Sequence, residues 1–73
     1  MAHRIVALWV THKDDETVEH KVGEDKVTAI SYSYVPTMQI IEIRLEQNDG
    51  SVWEQILPVA SVFQLVAHKQ EVL

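Results

Sequence analysis

The chain has 73 residues, of which 47% are hydrophobic, and its 6 basic and 11 acidic residues give a formal net charge of −5. This hydrophobic fraction supports one compact domain over residues 1–73 and excludes intrinsic disorder. The absence of cysteine excludes disulfides, thiolate zinc sites and cysteine nucleophiles. We expect so small a domain to depend on close packing, on oligomerisation, or on both.

The first predicted strand runs from His3 to Thr11 and contains an uninterrupted apolar segment, Ile5 to Val10. A strand that is apolar on both faces has to be covered on both, by a helix, a second sheet or another subunit. The segment is too short to span a membrane, and it lacks the cleavage site of a signal peptide. We therefore expect a cytoplasmic protein.

Two further strands are predicted before the first proline. A polar turn around Asp14-Asp15 leads into a weaker edge strand, Thr17 to Val22, and this turn would place His20 opposite Trp9. The third strand, Val27 to Val35, carries Ile30, Tyr32 and Tyr34 on one face, and Pro36 ends it.

The strongest local signal is a hairpin made of the alternating runs 38–46 and 51–57. A two-residue turn at Asp49-Gly50 would mix core and solvent residues across the strands. A three-residue loop over 48–50, with Gly50 in the left-handed conformation, resolves this conflict. The pairs predicted from this loop are Leu45–Trp53, Ile41–Leu57 and Arg44–Glu54.

The segment after Pro58 is read as a helix, with a strand as the alternative. Val59, Val62, Phe63 and Val66 follow helical spacing, and proline suits a first helical turn. Four β-branched valines and the lack of an N-cap residue count against the helix. The predicted fold is α+β, an antiparallel meander of about five strands with one C-terminal helix. The alternative is an all-β, SH3-like small barrel.

The order of features from Ile30 to Ala67 resembles the small KTSC domain. The matching elements are a tyrosine-bearing strand (Tyr32), the run 41–45, the segment 50–53 and a proline-led stretch over 58–65. The resemblance implies a hairpin followed by a helix. It departs from that domain at the defining Lys-Thr-Ser-Cys positions and at the distal motifs, where His68-Lys69-Gln70 stands instead. It therefore implies no functional residue for this chain.

No catalytic or cofactor-binding pattern emerges from the sequence. The four histidines His3, His12, His20 and His68 have no i,i+4 ligand spacing and no cysteine beside them, which indicates surface residues and no metal site. Two glycines cannot form a phosphate-binding loop or a dinucleotide fingerprint. We therefore expect a protein that is not an enzyme and has no cofactor.

The charges argue against nucleic acid as a partner. A nucleic-acid binder usually concentrates positive charge on one face, whereas the six cations here are scattered along the sequence, at Arg4, Lys13, Lys21, Lys26, Arg44 and Lys69. The acidic residues cluster in two predicted turns, 14–16 and 24–25. We expect neither nucleic-acid nor membrane binding.

The aromatic residues suggest where a protein partner would bind. Trp53 and Phe63 lie in core-like patterns, whereas Trp9, Tyr32 and Tyr34 are our candidates for contact residues. The leading hypothesis is a small protein–protein interaction module that self-associates, with a dimer favoured. One alternative is an acidic inhibitor, of the kind carried by phages or mobile elements, that blocks a basic, nucleic-acid-binding host factor. A second alternative is a small barrel that binds a ligand or RNA.

Overall fold

The apolar first strand, β1 (His3–His12), runs through the middle of the fold in the computed structural model, which describes residues 2–72. It pairs antiparallel with β2 (Thr17–Lys21) and, at the single pair Ile5–Ile30, with β3 (Val27–Val35). Its other edge pairs with β6 (Val62–Glu71) along its whole length. Because β2 and β3 share one edge of β1, this strand has no free edge.

The sheet continues from β3 through β4 (Ile40–Gln47) to β5 (Val52–Pro58) and curls into an antiparallel half-barrel. A short 3-10 turn, Val59–Ser61, turns the chain from β5 into β6. Apolar residues from both ends of the curled sheet pack together on its inner face. The buried cluster consists of Leu8, Val10, Val27, Ile30, Ile43 and Leu57.

The predicted C-terminal helix is wrong, and with it the α+β class. Residues 62–71 form β6, and no α-helix occurs among residues 2–72. The physical reason is the second edge of β1, whose N–H and C=O groups need partners that a strand supplies and a packed helix does not. The valines that counted against the helix suit a strand. The all-β small-barrel alternative fits this fold, and the helix implied by the KTSC resemblance is absent.

The hairpin between β4 and β5 confirms the predicted register. Gly50 has φ of 86°, and the backbone N–H of Gln47 donates to the carbonyl of Ser51 at 2.9 Å. Leu45 lies opposite Trp53, and Arg44 lies opposite Glu54, as expected. The ion pair that Arg44 makes, however, joins its Nε to Glu46 Oε1 on its own strand at 3.9 Å.

The β1–β2 hairpin has the same three-residue loop geometry, and its predicted register is therefore wrong by one residue. The N–H of His12 donates to the carbonyl of Glu16 at 2.8 Å, and Asp15 takes the left-handed conformation with φ of 70°. Aspartate tolerates this conformation better than most residues, so it stands where Gly50 stands in the other hairpin. His20 therefore lies opposite Leu8 and not opposite Trp9.

No helix among residues 2–72 combines the length and the apolar character that a membrane crossing requires.

We predict that Gly50→Ala lowers the free energy of unfolding by about 1–2 kcal/mol, the cost of a β-carbon in the left-handed region. A β-carbon built at this position meets no atom within 4 Å, so the cost is conformational and not steric. Thermal unfolding should show a Tm lower by about 4–8 °C per kcal/mol. Gly50→Asn is the matched control, because asparagine tolerates this conformation. An equal loss in both variants would contradict the explanation.

Asp49 should make a small contribution to stability that depends on pH. Its Oδ1 accepts hydrogen bonds from the Ser51 hydroxyl at 2.6 Å and from the Ser51 N–H at 2.9 Å, and these bonds hold the pKa of Asp49 below its ordinary value. A carboxylate whose pKa is lower in the folded state stabilises above its unfolded pKa, and this stabilisation is lost as the pH falls through the folded pKa. As the pH is lowered from 5 to 2, the free energy of unfolding of Asp49→Asn should therefore fall less than that of the wild type, and acid unfolding of both proteins measures this difference. Parallel curves would contradict this.

Candidate interaction surface

The structure does not bring the three predicted contact residues together. Leu8 and Val10 face the core, so strand alternation places Trp9 on the outer face, half-buried, where its Nε1 donates to Glu19 Oε2. Tyr32 and Tyr34 lie on the opposite, inner face of the sheet, with 41% and 55% of their surface exposed. Trp9 therefore cannot share a contact surface with the two tyrosines.

Trp53 and Phe63 are exposed, which makes their predicted core positions wrong. Trp53 is 63% exposed and Phe63 is 73% exposed. The cross-strand partner of Trp53 is Leu45, which packs against the core, but β5 is the last strand of its layer and has no neighbour beyond it. The alternation of the sequence identifies the face of Trp53 correctly, yet it does not reveal that the face is uncovered at that point.

The free edge of β5 carries exposed apolar side chains on both faces of the sheet. Trp53 shares the inner face with Leu45, whereas Val52 and Ile56 share the outer face with Glu46 and Glu42. Val52 is 41% exposed and Ile56 is 58% exposed. We call Val52, Trp53 and Ile56 together the β5 edge patch. None of these residues was among the sequence-based candidates.

A groove lies between the β5 edge patch and β2. Its volume is about 310 Å³, and Leu45, His20, Trp53 and Gln55 contribute to its lining. His20 points toward it because this residue shares the inward face of Leu8. The Nε2 atom of His20 is buried and has no hydrogen-bond partner within the described chain. The groove therefore combines an aromatic wall with an unsatisfied polar atom.

The fold brings some charges together and keeps others apart. The two acidic turns, 14–16 and 24–25, lie beyond opposite ends of β2, so they do not merge into one acidic surface at that strand. Arg4 and Lys69, by contrast, come from the two ends of the chain and border one cleft of about 390 Å³, but from opposite faces of the sheet, because Lys69 pairs with Ile5 and Arg4 precedes Ile5 along β1. We call it the basic cleft, and its lining includes His3, Arg4, Ile5, Thr28, Ile30 and Lys69.

The histidines do not assemble into a metal centre within residues 2–72. No three side chains of histidine, aspartate or glutamate in this range lie close enough to hold an ion together. His3 belongs to the basic cleft and His20 to the groove beside Trp53. His12 lines a separate depression beside Lys13 and Ser61.

No protein-family model, no curated protein and no solved structure matches this chain. The function therefore has to be argued from the geometry of its own surface.

The two tryptophans should respond differently to a soluble quencher. Trp53 is mostly exposed and Trp9 is half-buried, whereas the indole N–H of each donates to a side chain, that of Trp9 to Glu19 and that of Trp53 to Gln47. The Trp9→Phe variant retains Trp53, and acrylamide should quench its fluorescence more strongly than that of Trp53→Phe. The measurement is a Stern–Volmer titration of both folded variants at a protein concentration low enough to keep each monomeric. The reverse order would contradict the assigned positions.

Proposed function

We propose that the protein is a non-enzymatic interaction module that self-associates by adding a strand along the free edge of β5. The observation that carries the proposal is the β5 edge patch, an unpaired edge with exposed apolar side chains on both faces. Such an edge is a template for pairing with another strand, and monomeric proteins usually blunt it with lysine, proline or a bulge. Inside β5 there is neither lysine nor proline, since Pro58 is its last residue.

The backbone of β5 is suited to accept such a strand. The bond from the Gln47 N–H to the Ser51 carbonyl sets the phase of the β4–β5 ladder. Because hydrogen-bonded and non-hydrogen-bonded pairs alternate in an antiparallel ladder, the N–H and C=O groups of Val52, Glu54 and Ile56 point away from β4. Pro58 has the same phase, so its missing N–H costs the β4–β5 ladder no bond and leaves the outward edge without a donor only at its last position.

The other free edges are less suited to pairing. The β2 edge is five residues long and carries Glu19 and Lys21, which form an ion pair at 3.5 Å. The β6 ladder has register shifts near both ends, and the strand ends in the polar segment 68–71. Short, charged or irregular edges resist the addition of a strand. These contrasts support β5 as the interface.

A second copy of the chain is the partner that fits this edge. If Gln55 of one copy lies opposite Gln55 of the other about a two-fold axis, Glu54 faces Ile56 of the second copy. Trp53 then faces Leu57 of the second copy on the inner side. This register keeps the two Glu54 side chains apart, whereas a shift that set them opposite each other would be destabilising. Two-fold dimers are the commonest soluble assemblies.

The small core gives self-association a stabilising role. Only seven hydrophobic residues are buried within residues 2–72, and none of the described polar residues is. A domain this small without disulfides gains stability from apolar surface that a second copy covers. Pairing at the β5 edge would remove Val52, Trp53 and Ile56 from water.

The test is the oligomeric state of Ile56→Lys, measured by light scattering or sedimentation over a range of concentrations. Each copy would lose about 1.5–3 kcal/mol of apolar burial. Because both copies of the dimer carry the substitution, the dissociation constant should rise at least about a hundredfold. Val66→Lys is the matched control, since Val66 is also an apolar strand residue and is 43% exposed, but it lies on β6.

We expect a wild-type dimer, a monomeric Ile56→Lys variant that keeps its far-ultraviolet circular dichroism, and a dimeric Val66→Lys variant. A wild type that stays monomeric at high concentration would refute self-association. A dimer that survives Ile56→Lys but not Val66→Lys would move the interface to β6 and refute the role of β5.

A small ligand-binding barrel is a second candidate. The observed all-β fold is the architecture that this candidate requires, and the basic cleft supplies a specific place for a ligand. This candidate is compatible with self-association, because no residue of the β5 edge patch lines the basic cleft.

A further inference from the structure

We infer that Gln47 is a positioning residue for the β5 edge patch, because its side-chain amide fixes the orientation of the Trp53 indole before a second copy of the chain binds. The inference rests on the proposed self-association and adds to it the residue that prepares its aromatic anchor. It stands on three features: the two hydrogen bonds of the Gln47 amide, the turn to which this amide is tied, and the exposure of the indole ring.

Gln47 reaches Trp53 because both side chains lie on the inner face of the sheet. Gln47 is the last residue of β4, two residues after Leu45, and strand alternation gives these two residues the same face. Leu45 lies opposite Trp53 across the β4–β5 ladder, so the indole shares that face. The Nε1 of Trp53 donates to Gln47 Oε1 at 3.3 Å. The register and the hydrogen bond therefore agree on where the two side chains meet.

The two neighbours of the Gln47 amide determine how it is oriented. Its Nε2 donates to the backbone carbonyl of Asp25 at 3.2 Å, and this carbonyl can only accept. The indole N–H of Trp53 can only donate, so it requires the amide oxygen. The Ser51 hydroxyl, which also contacts Asp49, lies 2.9 Å from the same oxygen. Turning the amide over would break its bonds to Asp25 and to Trp53 together, so the amide has one orientation that satisfies both.

The turn to which Gln47 is tied is a strained one. Asp25 and Lys26 both take the left-handed conformation, with φ of 52° and 64°. Lysine seldom adopts this conformation, and strained backbone persists where the surrounding structure holds it. Two bonds from the end of β4 hold this turn, because the N–H of Asn48 donates to the Lys26 carbonyl at 2.9 Å beside the bond from Gln47 to Asp25. The Gln47 amide is therefore anchored to backbone on one side and holds the indole on the other.

The indole ring of Trp53 needs this hydrogen bond because most of its surface is bare. Trp53 is 63% exposed, and β5 has no strand beyond it to confine the ring. An exposed side chain loses rotamer freedom when a partner buries it, and this loss weakens association. The bond to Gln47 restricts the ring already in the free protein. Trp53 is thereby prepared as an anchor of the aromatic kind that dominates the binding energy of protein interfaces.

The first measurement follows the Trp53 ring in the monomer. Trp9→Phe leaves Trp53 as the only tryptophan, and Ile56→Lys removes the proposed contact with a second copy. In this background, Gln47→Leu should increase the fast, sub-nanosecond decay of fluorescence anisotropy that reports motion of the ring. Gln47→Glu should increase it less, since a carboxylate oxygen still accepts from the indole N–H. An anisotropy decay that Gln47→Leu leaves unchanged would overturn the inference.

The second measurement is the dissociation constant of the dimer, by sedimentation. Gln47→Leu should raise this constant about tenfold, because both copies then have to order an indole ring on binding. Gln47→Glu should raise it less. Thr28→Val is the matched control, since it removes the bond from the Thr28 hydroxyl to the Glu46 carbonyl at 3.2 Å, at the same end of β4, and this bond does not involve Trp53. The control should change neither the dissociation constant nor the anisotropy decay.

The two proposals fail in different ways. A wild type that stays monomeric would refute self-association, and with it the role of the ordered ring, even if the anisotropy decay responds to Gln47→Leu. A dimer whose dissociation constant rises equally in Gln47→Leu and Thr28→Val would overturn the role of Gln47 alone and leave self-association standing. Circular dichroism of every variant confirms that the comparison is made between folded proteins.

Discussion

The pairing of β1 on both of its edges is the constraint on which the remaining structure depends. Leu8 and Val10 are buried by the strands that curl around them, and this is possible only if every backbone N–H and C=O along β1 also finds a partner. β2 and β3 share one edge, and β6 takes the other. The need to pair that second edge explains why the C-terminal segment is a strand.

The same strand order determines where apolar side chains stay exposed at an unpaired edge. Because β1 is paired on both of its edges, the free edges fall on β2, β6 and β5, and β5 ends the β3–β4–β5 part of the sheet. Trp53 lies on the inner face there and has no layer above it, while Val52 and Ile56 lie on the outer face of the same edge. The apolar surface that self-association would cover therefore lies at one end of the same curled sheet whose inner face buries the core. At the other end, β1 and β3 meet at one pair and then diverge, which opens the basic cleft.

Much of the fold could be predicted from local sequence. The β4–β5 register, including the left-handed Gly50, follows from matching apolar residues to apolar residues across a short loop. The predicted β1–β2 register is wrong by one residue because Asp15 takes the left-handed conformation in the loop, which in such loops is usually taken by glycine. The predicted helix after Pro58 is wrong because its apolar spacing fits a helix, and the valines that favour a strand outweigh this spacing only once β6 pairs with the second edge of β1.

By itself, the sequence determined the strands up to Pro58, the loop at Gly50 and the faces of Tyr32 and Tyr34, because each depends on the two-residue period and on turn chemistry within a few residues. Only the tertiary structure decided which strands are edges and which distant charges border one cleft. Trp53 reads as a core residue until β5 is known to be the last strand, and Arg4 and Lys69 read as scattered until β6 pairs with β1. Both properties depend on strand order, which is set by packing over the whole chain.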